Sequence, residues 1–581
     1  MQLYQKNKIT IIELISFFLI AIIFISLLIP ANRDLVNSFS LFMDERISFD
    51  GVSNILHPNG VSDFIWSITD GGDHRYGRIF WNSIAIFVFL PEYFLGEFGQ
   101  IFFTRMFHVF VLIASFFILT RTFIQNSILR VILFFCLLNI PFSDYYMTTP
   151  KPEPIQLFFI SIFLFYYRKL DMKLDSFYWI FIGLAFGAKI STLPLIIIFL
   201  LPGVFDLVYN KENHLLEKYI IAFFYFVFGV VIAVPILALP VLISFIFYYL
   251  IIKLFSVNLY QKISIILAIV LINLSTSLLL FFKYNIITGF ALWGGSTFLN
   301  TSHGSNNSDI GILNWLEYLF YGWFSAPAIF LTAICIISLT LLIRYFNNIY
   351  SINFSKSSQI PILLILAGTF SSVVIFLTVD RLWGFYLFIN SALILVGIFA
   401  IIEKNIFNKT FSNSFNYYLS NALLLIFLIT AIFFWFPKNY NKFISLSERT
   451  QSIEYLEDYK SYKQILNFVE QLPKKNKKYS ITYDPSLFIL PESPKYDINL
   501  FWGYLVDWNK DIDIIILNKN HTPNAEYIPT ITNLDYKPYM IEKEKYESFV
   551  YENSSCKSYN LCFKEVLKLS NKGVILLKHQ E

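Results

Sequence analysis

The sequence predicts a mainly α-helical bundle that crosses a membrane many times, followed by a C-terminal α/β domain on its outer side. Two observations on composition support this fold class. Of the 581 residues, 56% are hydrophobic and only 14% are charged, whereas soluble domains carry roughly 25% charged residues. Long apolar runs recur until about residue 436, and a polar, mixed composition follows from Lys438. We therefore expect a transmembrane domain over 1–437 and an extracytoplasmic domain over 438–581.

About thirteen apolar segments approach the roughly 20 residues that a membrane span needs. The first, Ile9 to Pro30, has no small-residue cleavage site, so we expect it to remain as a membrane helix. The predicted spans lie near 9–30, 104–122, 130–144, 153–168, 176–188, 190–207, 219–237, 239–255, 263–282, 319–343, 360–379, 384–402 and 418–436.

The distribution of basic residues supports this count, because cytoplasmic connections carry an excess of Lys and Arg. With the N-terminus in the cytoplasm, every predicted cytoplasmic connection is basic. The count omits "RIFWNSIAIFVFL" (78–90), which is too short to span, is interrupted by Asn82 and Ser83, and is predicted to lie in the interface. If this segment were counted as a span, every later loop would be assigned to the opposite side of the membrane. An odd number of spans places the C-terminal domain outside.

The C-terminal part predicts one amphipathic helix at 447–472 and strands at "KKYSITYD", "DIDIIILNK" and "GVILLKHQ". Its two cysteines, Cys556 and Cys562, have no histidine near them in sequence. Outside the cytoplasm such a pair favours a disulfide over a metal site. Cys136 and Cys335 lie inside predicted spans and are interpreted as packing residues.

Two features of the composition carry little functional information. The 65 Phe and 36 Tyr residues fit lipid-facing surfaces and interfacial belts, but an A+T-rich genome would also raise the Phe content. The formal net charge of +4 is small for this length and does not indicate a nucleic-acid partner.

The predicted outer face is unusually basic, which points to an anionic ligand such as a phosphate beside the bilayer. The alternative is that these side chains only reach from helix ends to the interface. The residues concerned are Arg75, Arg78, Arg105, Lys151, Lys189, Lys283 and Arg381. Lys189, in "LAFGAKIST", falls at a break between two apolar runs.

Carboxylates on the same face suggest group transfer. Asp44 and Glu45, in "SLFMDERISFDG", open the first outer loop (about 31–103), and Asp144 and Glu153 belong to the second. A carboxylate can accept the proton of an attacking hydroxyl or amine while a phosphate leaves. The alternative for an Asp-Glu pair at this place is a solvated helix start. Arg46 and Asp50 are interpreted as support for the loop.

The order of these features resembles membrane glycosyltransferases of the GT-C superfamily, in particular bacterial relatives of protein O-mannosyltransferases and of the lipid A aminoarabinose transferase. The resemblance covers about 9–402. It rests on the following segments in order: "FMDERISFDGVSNILHPNG", "GRIFWNSIAIFVFLPEYFLG" before "FTRMFHVF", "KPEPIQLFF", "GLAFGAKIST" and "RLWGFYLFINSALILVGI". Where those relatives often have His-Pro-Pro-Leu or Lys-Pro, this chain has "DHRYGRIFW", which contains the candidate substrate-binding residues His74, Arg75 and Tyr76.

The resemblance implies an inverting transfer of a sugar from a polyprenyl-phosphate carrier to an acceptor on the periplasmic or outer side. It implies that Asp44 is the general base, with Glu45 beside it. Glu153 would help to bind acceptor or sugar, and Asp144 of the same loop is a further candidate substrate-binding residue. The lipid phosphate would be bound by Arg105, Lys189, Arg381 and Arg78, which would stabilise the charge on the leaving group.

A divalent metal is a further possibility that the sequence leaves open. His57, His74 and Asp73 lie in the first loop, but one histidine and one carboxylate in sequence do not make a ligand set. His303 is interpreted as a plain loop residue in a Gly/Ser/Asn-rich segment that is expected to be flexible.

Other functions stay open at this point. A transporter or a flippase of lipid-linked sugars would also need many spans, but it would show paired repeats and charges at mid-membrane. A surface-glycan polymerase or ligase would differ only in its acceptor. A non-catalytic scaffold would not need charged outer loops of this kind.

Overall fold

The computed structural model describes residues 14–22, 25–26, 43–69, 77–140, 143–210, 215–235, 359–378, 387–403, 453–473, 477–483, 495–500, 512–518, 563–570 and 573–578. These residues are mainly helical and include one small sheet. The chain divides into two compact units. The larger contains Met1–Leu28, Ser48–Asn300 and Asn307–Asn439, and the smaller contains Ile29–Ile47, Thr301–Asn306 and Tyr440–Glu581.

The described helices follow one another closely up to residue 233. They are α1 (Met43–Leu56), α2 (Val61–Thr69), α3 (Arg78–Leu95), α4 (Glu97–Phe123), α5 (Ser127–Leu138), α6 (Ser143–Thr148), α7 (Glu153–Lys169), α8 (Trp179–Ala188), α9 (Leu193–Asn210), α10 (Leu215–Ala233), α11 (Ile360–Thr378), α12 (Phe388–Ile402) and α13 (Ile453–Gln471). Residues 14–22 are also helical. The helices α1 and α2 lie where the sequence predicts a loop. The predicted spans at 239–255, 263–282, 319–343 and 418–436 lie outside the described residues.

Within the part of the chain that the structure describes, two helices are long and apolar enough to cross a membrane, Arg78–Leu95 and Phe98–Phe123. Shorter apolar helices accompany them at Ser127–Leu138, Trp179–Ala188, Leu193–Pro202, Ile360–Ile375 and Phe388–Ile402. This criterion concerns length and composition only. The mainly helical class is confirmed, and the thirteen-span bundle stays a prediction.

The helix α3 corrects one expectation. The prediction that its apolar run is too short to span is wrong, because the helix does not stop before Pro91 but continues to Leu95, giving 18 residues. It ends at Gly96, whose φ of +62° suits glycine. Its side chains at Ile86, Tyr93 and Phe94 are largely exposed. An interfacial position for this helix stays a prediction.

The helices α3 and α4 pack against each other as a hairpin. A Cβ added to Gly99 would lie 2.2 Å from the carbonyl oxygen of Pro91, so the two backbones nearly touch beside the turn. Further along, the ring of Phe87 packs against those of Phe107 and Phe110, at 5.2 and 6.0 Å between centroids. The hairpin positions the N-terminus of α3 beside the middle of α4, where the ring of Phe80 meets that of His108.

The helices α8 and α10 also pack with their backbones in close approach. A Cβ on Gly183 would lie 2.1 Å from the Phe226 carbonyl oxygen, and one on Gly229 would lie 2.1 Å from that of Ile180. Each glycine therefore faces the backbone of the other helix. Such contacts between small residues are typical of helix pairs in membranes.

We expect Gly229→Ala to lower the melting temperature of the full-length protein in detergent, because the added methyl group must displace backbone atoms. Overpacking of this kind destabilises by about 1–3 kcal/mol. Phe228→Ala, at a half-exposed position of the same helix, is the control and should melt close to the wild type. Equal melting of Gly229→Ala and the wild type would contradict the close packing.

The helix α12 contacts other elements at both of its ends. Near its start, the ring of Phe388 packs on Tyr146 of α6, with 4.6 Å between centroids. Just after its end, the carboxylate of Glu403 accepts hydrogen bonds from the backbone amides of Gln125, at 2.7 and 3.0 Å, and Asn126, at 2.6 Å. These amides belong to the turn between α4 and α5. Across its 15 residues, or about 22 Å, α12 thus connects this turn to α6.

The smaller unit contains α13 and a five-stranded sheet. The strands are β1 (Tyr479–Tyr483), β2 (Tyr496–Leu500), β3 (Ile514–Asn518), β4 (Phe563–Lys568) and β5 (Gly573–Lys578), in the order β2-β1-β3-β5-β4. The β1 strand pairs in parallel with β2 and β3, whereas β5 is antiparallel to β3 and β4. The predicted α/β character of this part is confirmed. The strands β2 and β4 were not predicted.

Contacts between helix and sheet hold the smaller unit together. The Gln464 side-chain oxygen accepts hydrogen bonds from the backbone nitrogen and hydroxyl of Ser570, at 3.0 and 3.2 Å. Ile465 and Val469 of α13 are buried, as are Ile481 and Ile514 of the sheet. Cys556 and Cys562 lie outside the described residues, so their disulfide stays a prediction.

Candidate functional site

The candidate site begins at the break between α8 and α9. The helix α8 ends at Ala188, Lys189 is extended with φ −157° and ψ 129°, and a short 3-10 turn at Ile190–Thr192 leads into α9. The predicted break at Lys189 is therefore confirmed. An interrupted helix leaves backbone groups without their usual partners, so neighbouring elements have to supply them.

The start of α3 packs directly on this break. The backbone N–H of Gly77 donates to the carbonyl of Ala188 at 3.3 Å. A Cβ on Gly77 would lie 2.0 Å from the Gly187 carbonyl oxygen, so only glycine fits there. Arg78 follows immediately, is buried, and stacks on the ring of Trp81 at 4.6 Å. The packing therefore brings Arg78 to the region of Lys189.

A buried ion pair forms the centre of the site. The Lys189 ammonium contacts one carboxylate oxygen of Glu153, and their side chains are only 13% and 5% exposed. Glu153 is the first residue of α7, where the positive end of the helix dipole favours a carboxylate. Among the described residues, its other carboxylate oxygen, Oε2, is buried and has no hydrogen-bond partner. The structure thus brings together two residues that the sequence predicts for the site.

Further cations are buried in α4 and just before α7. Arg105 of α4 and Lys151, two residues before Glu153, are almost fully buried. Burying a charged side chain is unfavourable unless other groups compensate it. Their burial therefore indicates a specific arrangement, because cations that only extend to a membrane interface would stay exposed.

His108 is a part of this region that the sequence analysis did not single out. It is fully buried in α4, one turn after Arg105. Its Nδ1 lies 2.7 Å from the carbonyl of Thr104, and the ring interacts with the backbone of Lys151 and the charge of Glu153. The spacing of three residues from Arg105 was the signal in the sequence, because it places both on one helix face.

Gln156 was missed as well. It lies one turn after Glu153 in α7, is buried, and donates from its side-chain amide to the 189–192 segment. No sequence motif marks it, since its partners are 33 to 36 residues away.

The predicted catalytic pair Asp44 and Glu45 lies in the first turn of α1, not in a loop. The side chains of both residues lie outside the part of the structure that is described. One turn later, the Ser48 hydroxyl donates to the Pro150 carbonyl at 3.2 Å. A Cβ on Gly51 would lie 2.3 Å from the indole nitrogen of Trp81. Helix α1 therefore contacts Pro150 through Ser48 and packs against α3 at Gly51.

The structure does not place the remaining predicted residues at the site within the ranges that it describes. Asp144 is in the short helix α6, but its side chain is outside the described atoms. The predicted residues outside the described ranges are Asp73, His74, Arg75, Tyr76, Lys283, His303, Cys335 and Arg381. Cys136 lies in α5 and is a free cysteine.

The described ranges contain no group of three or more His, Cys, Asp or Glu residues that could hold a metal ion. His57, a candidate metal residue, contacts the carboxylate of Glu92 in α3 instead. The His57 side chain is mostly exposed, whereas that of Glu92 is nearly buried. The described residues therefore provide no ligand set for the possible divalent metal.

In chemical terms, the described residues include a buried carboxylate beside a buried ammonium, and buried guanidinium groups in α3 and α4. Such a set can bind an anion and orient a hydroxyl or amine beside it. Comparison with protein-family models and with curated proteins finds no match to this chain.

Proposed function

We propose that the protein is an integral-membrane glycosyltransferase that transfers a sugar, with inversion, from a polyprenyl-phosphate donor to an acceptor on the outer side of the membrane. The acceptor is a lipid, a glycan or a protein. In this proposal the protein resides in the inner (plasma) membrane, with its N-terminus in the cytoplasm and its C-terminal domain outside.

The observation that carries the proposal is the buried Lys189–Glu153 pair at the break between α8 and α9. A lone ammonium buried in apolar surroundings would be strongly unfavourable, and its pairing with Glu153 makes it tolerable. An ammonium has three donors, so contact with Glu153 is compatible with contact to a phosphate. The buried Arg78 and Arg105 add positive charge in the same helix group.

The proposed reaction moves one proton and exchanges one bond at the sugar carbon. Asp44 accepts the proton of the acceptor hydroxyl or amine as that group attacks the anomeric carbon. The bond from that carbon to the phosphate oxygen breaks, and the polyprenyl phosphate leaves with the electron pair. Lys189, Arg105, Arg78 and Arg381 stabilise its negative charge, as preorganised cations do in a water-poor site.

Glu153 and Glu45 have supporting roles in this proposal. Glu153 orients the sugar or the acceptor through its second carboxylate oxygen, which has no partner among the described residues. Glu45 is the neighbour of the base, and Asp144, His74, Arg75 and Tyr76 are the other proposed substrate contacts. A flippase, a transporter or a surface-glycan polymerase are the competing functions that the experiment below separates.

We expect Asp44→Asn to lower the transfer rate by about 10²–10⁴-fold, which is the usual contribution of a general base. The assay uses the full-length protein in lipid vesicles, with polyprenyl-phosphate sugars and lipid extract from cells that lack the protein. Asp63→Asn is the matched control. Asp63 lies in α2, and its exposed carboxylate accepts a hydrogen bond from the backbone nitrogen of Asn59 at 2.8 Å.

The outcomes separate the functions. Full activity of Asp44→Asn would refute the base assignment. Movement of an intact lipid-linked sugar across the vesicle by the wild type, without transfer from any donor, would show a flippase. Transfer only to a growing glycan chain would show a polymerase.

A further inference from the structure

One side chain of α7 connects that helix to the break that carries Lys189. The side-chain amide nitrogen of Gln156 lies 3.1 Å from the Lys189 carbonyl oxygen, 3.1 Å from the Ser191 hydroxyl and 2.5 Å from the Thr192 hydroxyl. Gln156 is only 1% exposed. Its two N–H groups are therefore shared among three acceptors of a single short turn.

The same turn has further hydrogen bonds within itself. The Lys189 carbonyl also accepts from the Thr192 hydroxyl at 3.1 Å and from the Thr192 backbone nitrogen at 3.4 Å. Thr192 is fully buried. Gln156 thus completes a hydrogen-bond network around the Lys189 carbonyl, and this network fixes where the backbone of residue 189 lies.

Glu153 and Gln156 act on the two ends of the same lysine. They are three residues apart in α7, so they share one face of that helix. Glu153 contacts the ammonium group of Lys189, and Gln156 contacts its backbone carbonyl. If the backbone contact is lost, the Lys189 backbone can move, and the ammonium group at the end of its side chain is no longer held at a defined position.

We infer that Gln156 is the residue that positions Lys189 for phosphate, an inference that rests on the proposed phosphate-binding role of Lys189. Gln156 does not touch the substrate. It acts on Lys189 indirectly, by donating a hydrogen bond from its amide nitrogen to the Lys189 carbonyl. The amide oxygen of Gln156 could not replace the nitrogen, because it would face another oxygen and has no hydrogen to donate.

The chemistry of the amide suggests two informative variants. Among the described residues, Gln156 Oε1 has no hydrogen-bond partner. Gln156→Met, of similar length, therefore removes the donations and little else. Gln156→Glu places a carboxyl group there, which donates to the carbonyl only when it is protonated. The donation of this variant should therefore return as the pH falls.

The experiment compares the wild type, Gln156→Met, Gln156→Glu and the control Ser161→Ala as full-length proteins in lipid nanodiscs. Ser161 is a fully buried residue of the same helix whose hydroxyl bonds to the Leu157 carbonyl at 2.7 Å and not to the break. One readout is hydrogen exchange of the backbone amides of residues 186–193. The other is the kinetics of transfer from a polyprenyl-phosphate sugar.

In Gln156→Met, we expect these amides to exchange about tenfold faster or more, which corresponds to the loss of buried hydrogen bonds. The KM for the donor should rise by a similar factor and by more than kcat falls. In Gln156→Glu, both differences from the wild type should shrink as the pH is lowered, because the protonated carboxyl donates. Ser161→Ala should match the wild type in both readouts.

Unchanged exchange and donor KM in Gln156→Met would overturn the inference. Equal effects in Ser161→Ala, or a Gln156→Glu variant that does not recover at low pH, would overturn it as well. If the wild type transfers no sugar, the proposed function fails. The exchange of Gln156→Met and the pH-dependent exchange of Gln156→Glu then still decide whether Gln156 fixes the break.

Discussion

Lys189→Met should abolish sugar transfer and also lower the melting temperature, whereas the double variant Lys189→Met/Glu153→Gln should recover the melting temperature and remain inactive. The reason is the burial of the pair, with side chains that are 13% and 5% exposed. Removing the ammonium alone leaves a buried carboxylate without its cation, which destabilises by about 3–5 kcal/mol.

The double variant removes this penalty because a neutral amide replaces the carboxylate. Replacing both members of a buried pair by uncharged groups is often neutral for stability. A role in binding the lipid phosphate predicts that transfer does not return, since no ammonium is present. The measurements are thermal unfolding in detergent and transfer from the polyprenyl-phosphate donor.

Two results would contradict this expectation. A double variant that recovers both stability and transfer would show that the pair only stabilises the fold. A Lys189→Met variant that keeps the wild-type melting temperature would show that the pair is not buried as described. Lys173→Met is the control, since its ammonium forms an exposed pair with Asp175 at 3.7 Å and should change neither readout.

The second large effect concerns Glu403. We expect Glu403→Ala to destabilise the protein by about 2–3 kcal/mol, because it removes a buried acceptor of backbone hydrogen bonds. The donors are the amides of Gln125 and Asn126, and the variant also removes a negative charge near Arg168. Arg168 itself donates to the Thr122 carbonyl and is therefore fixed at this turn.

Glu403→Gln should be much milder, at about 1 kcal/mol. Burial raises the pKa of Glu403, against the opposing effect of the Asn126 and Gln125 amides and of Arg168 and Arg130. A neutral side chain with an acceptor oxygen is therefore a close substitute. Thermal unfolding of both variants checks this. Equal losses would show that the negative charge, and not the acceptor oxygen, stabilises the turn.

Sequence patterns predicted the long apolar helices well, since their signal is local. The helix predicted at 153–168 matches Glu153–Lys169, although its crossing of a membrane stays a prediction, and the predicted break at Lys189 separates α8 from α9. The run from 78 was judged too short to span because only its apolar core, 78–90, was counted, with Asn82 and Ser83 interrupting it. In the structure, α3 continues beyond Pro91 to Leu95 and packs closely on α4 at this point.

Other elements could not be predicted, because their stability comes from distant residues. The polar sequence of α1 has no clear amphipathic pattern, and its Gly51 packs against Trp81. The strand β4, "FKEVLK", has charged residues and is defined by its pairing with β5. Of the site, Glu153 and Lys189 were found from their charge. Gln156 is recognisable only from contacts across the fold, and His108 is marked in the sequence only by its spacing from Arg105.

The contact between Glu403 and the α4–α5 turn also bears on how the chain is assembled during translation. The two partners are separated by 278 positions, so the ribosome completes the turn long before it makes the carboxylate. Until then, the amides of Gln125 and Asn126 need water as an acceptor, because polar backbone groups are rarely left unpaired. The α4–α5 turn therefore reaches its final hydrogen bonding only after residue 403 has been synthesised and α12 has packed beside it.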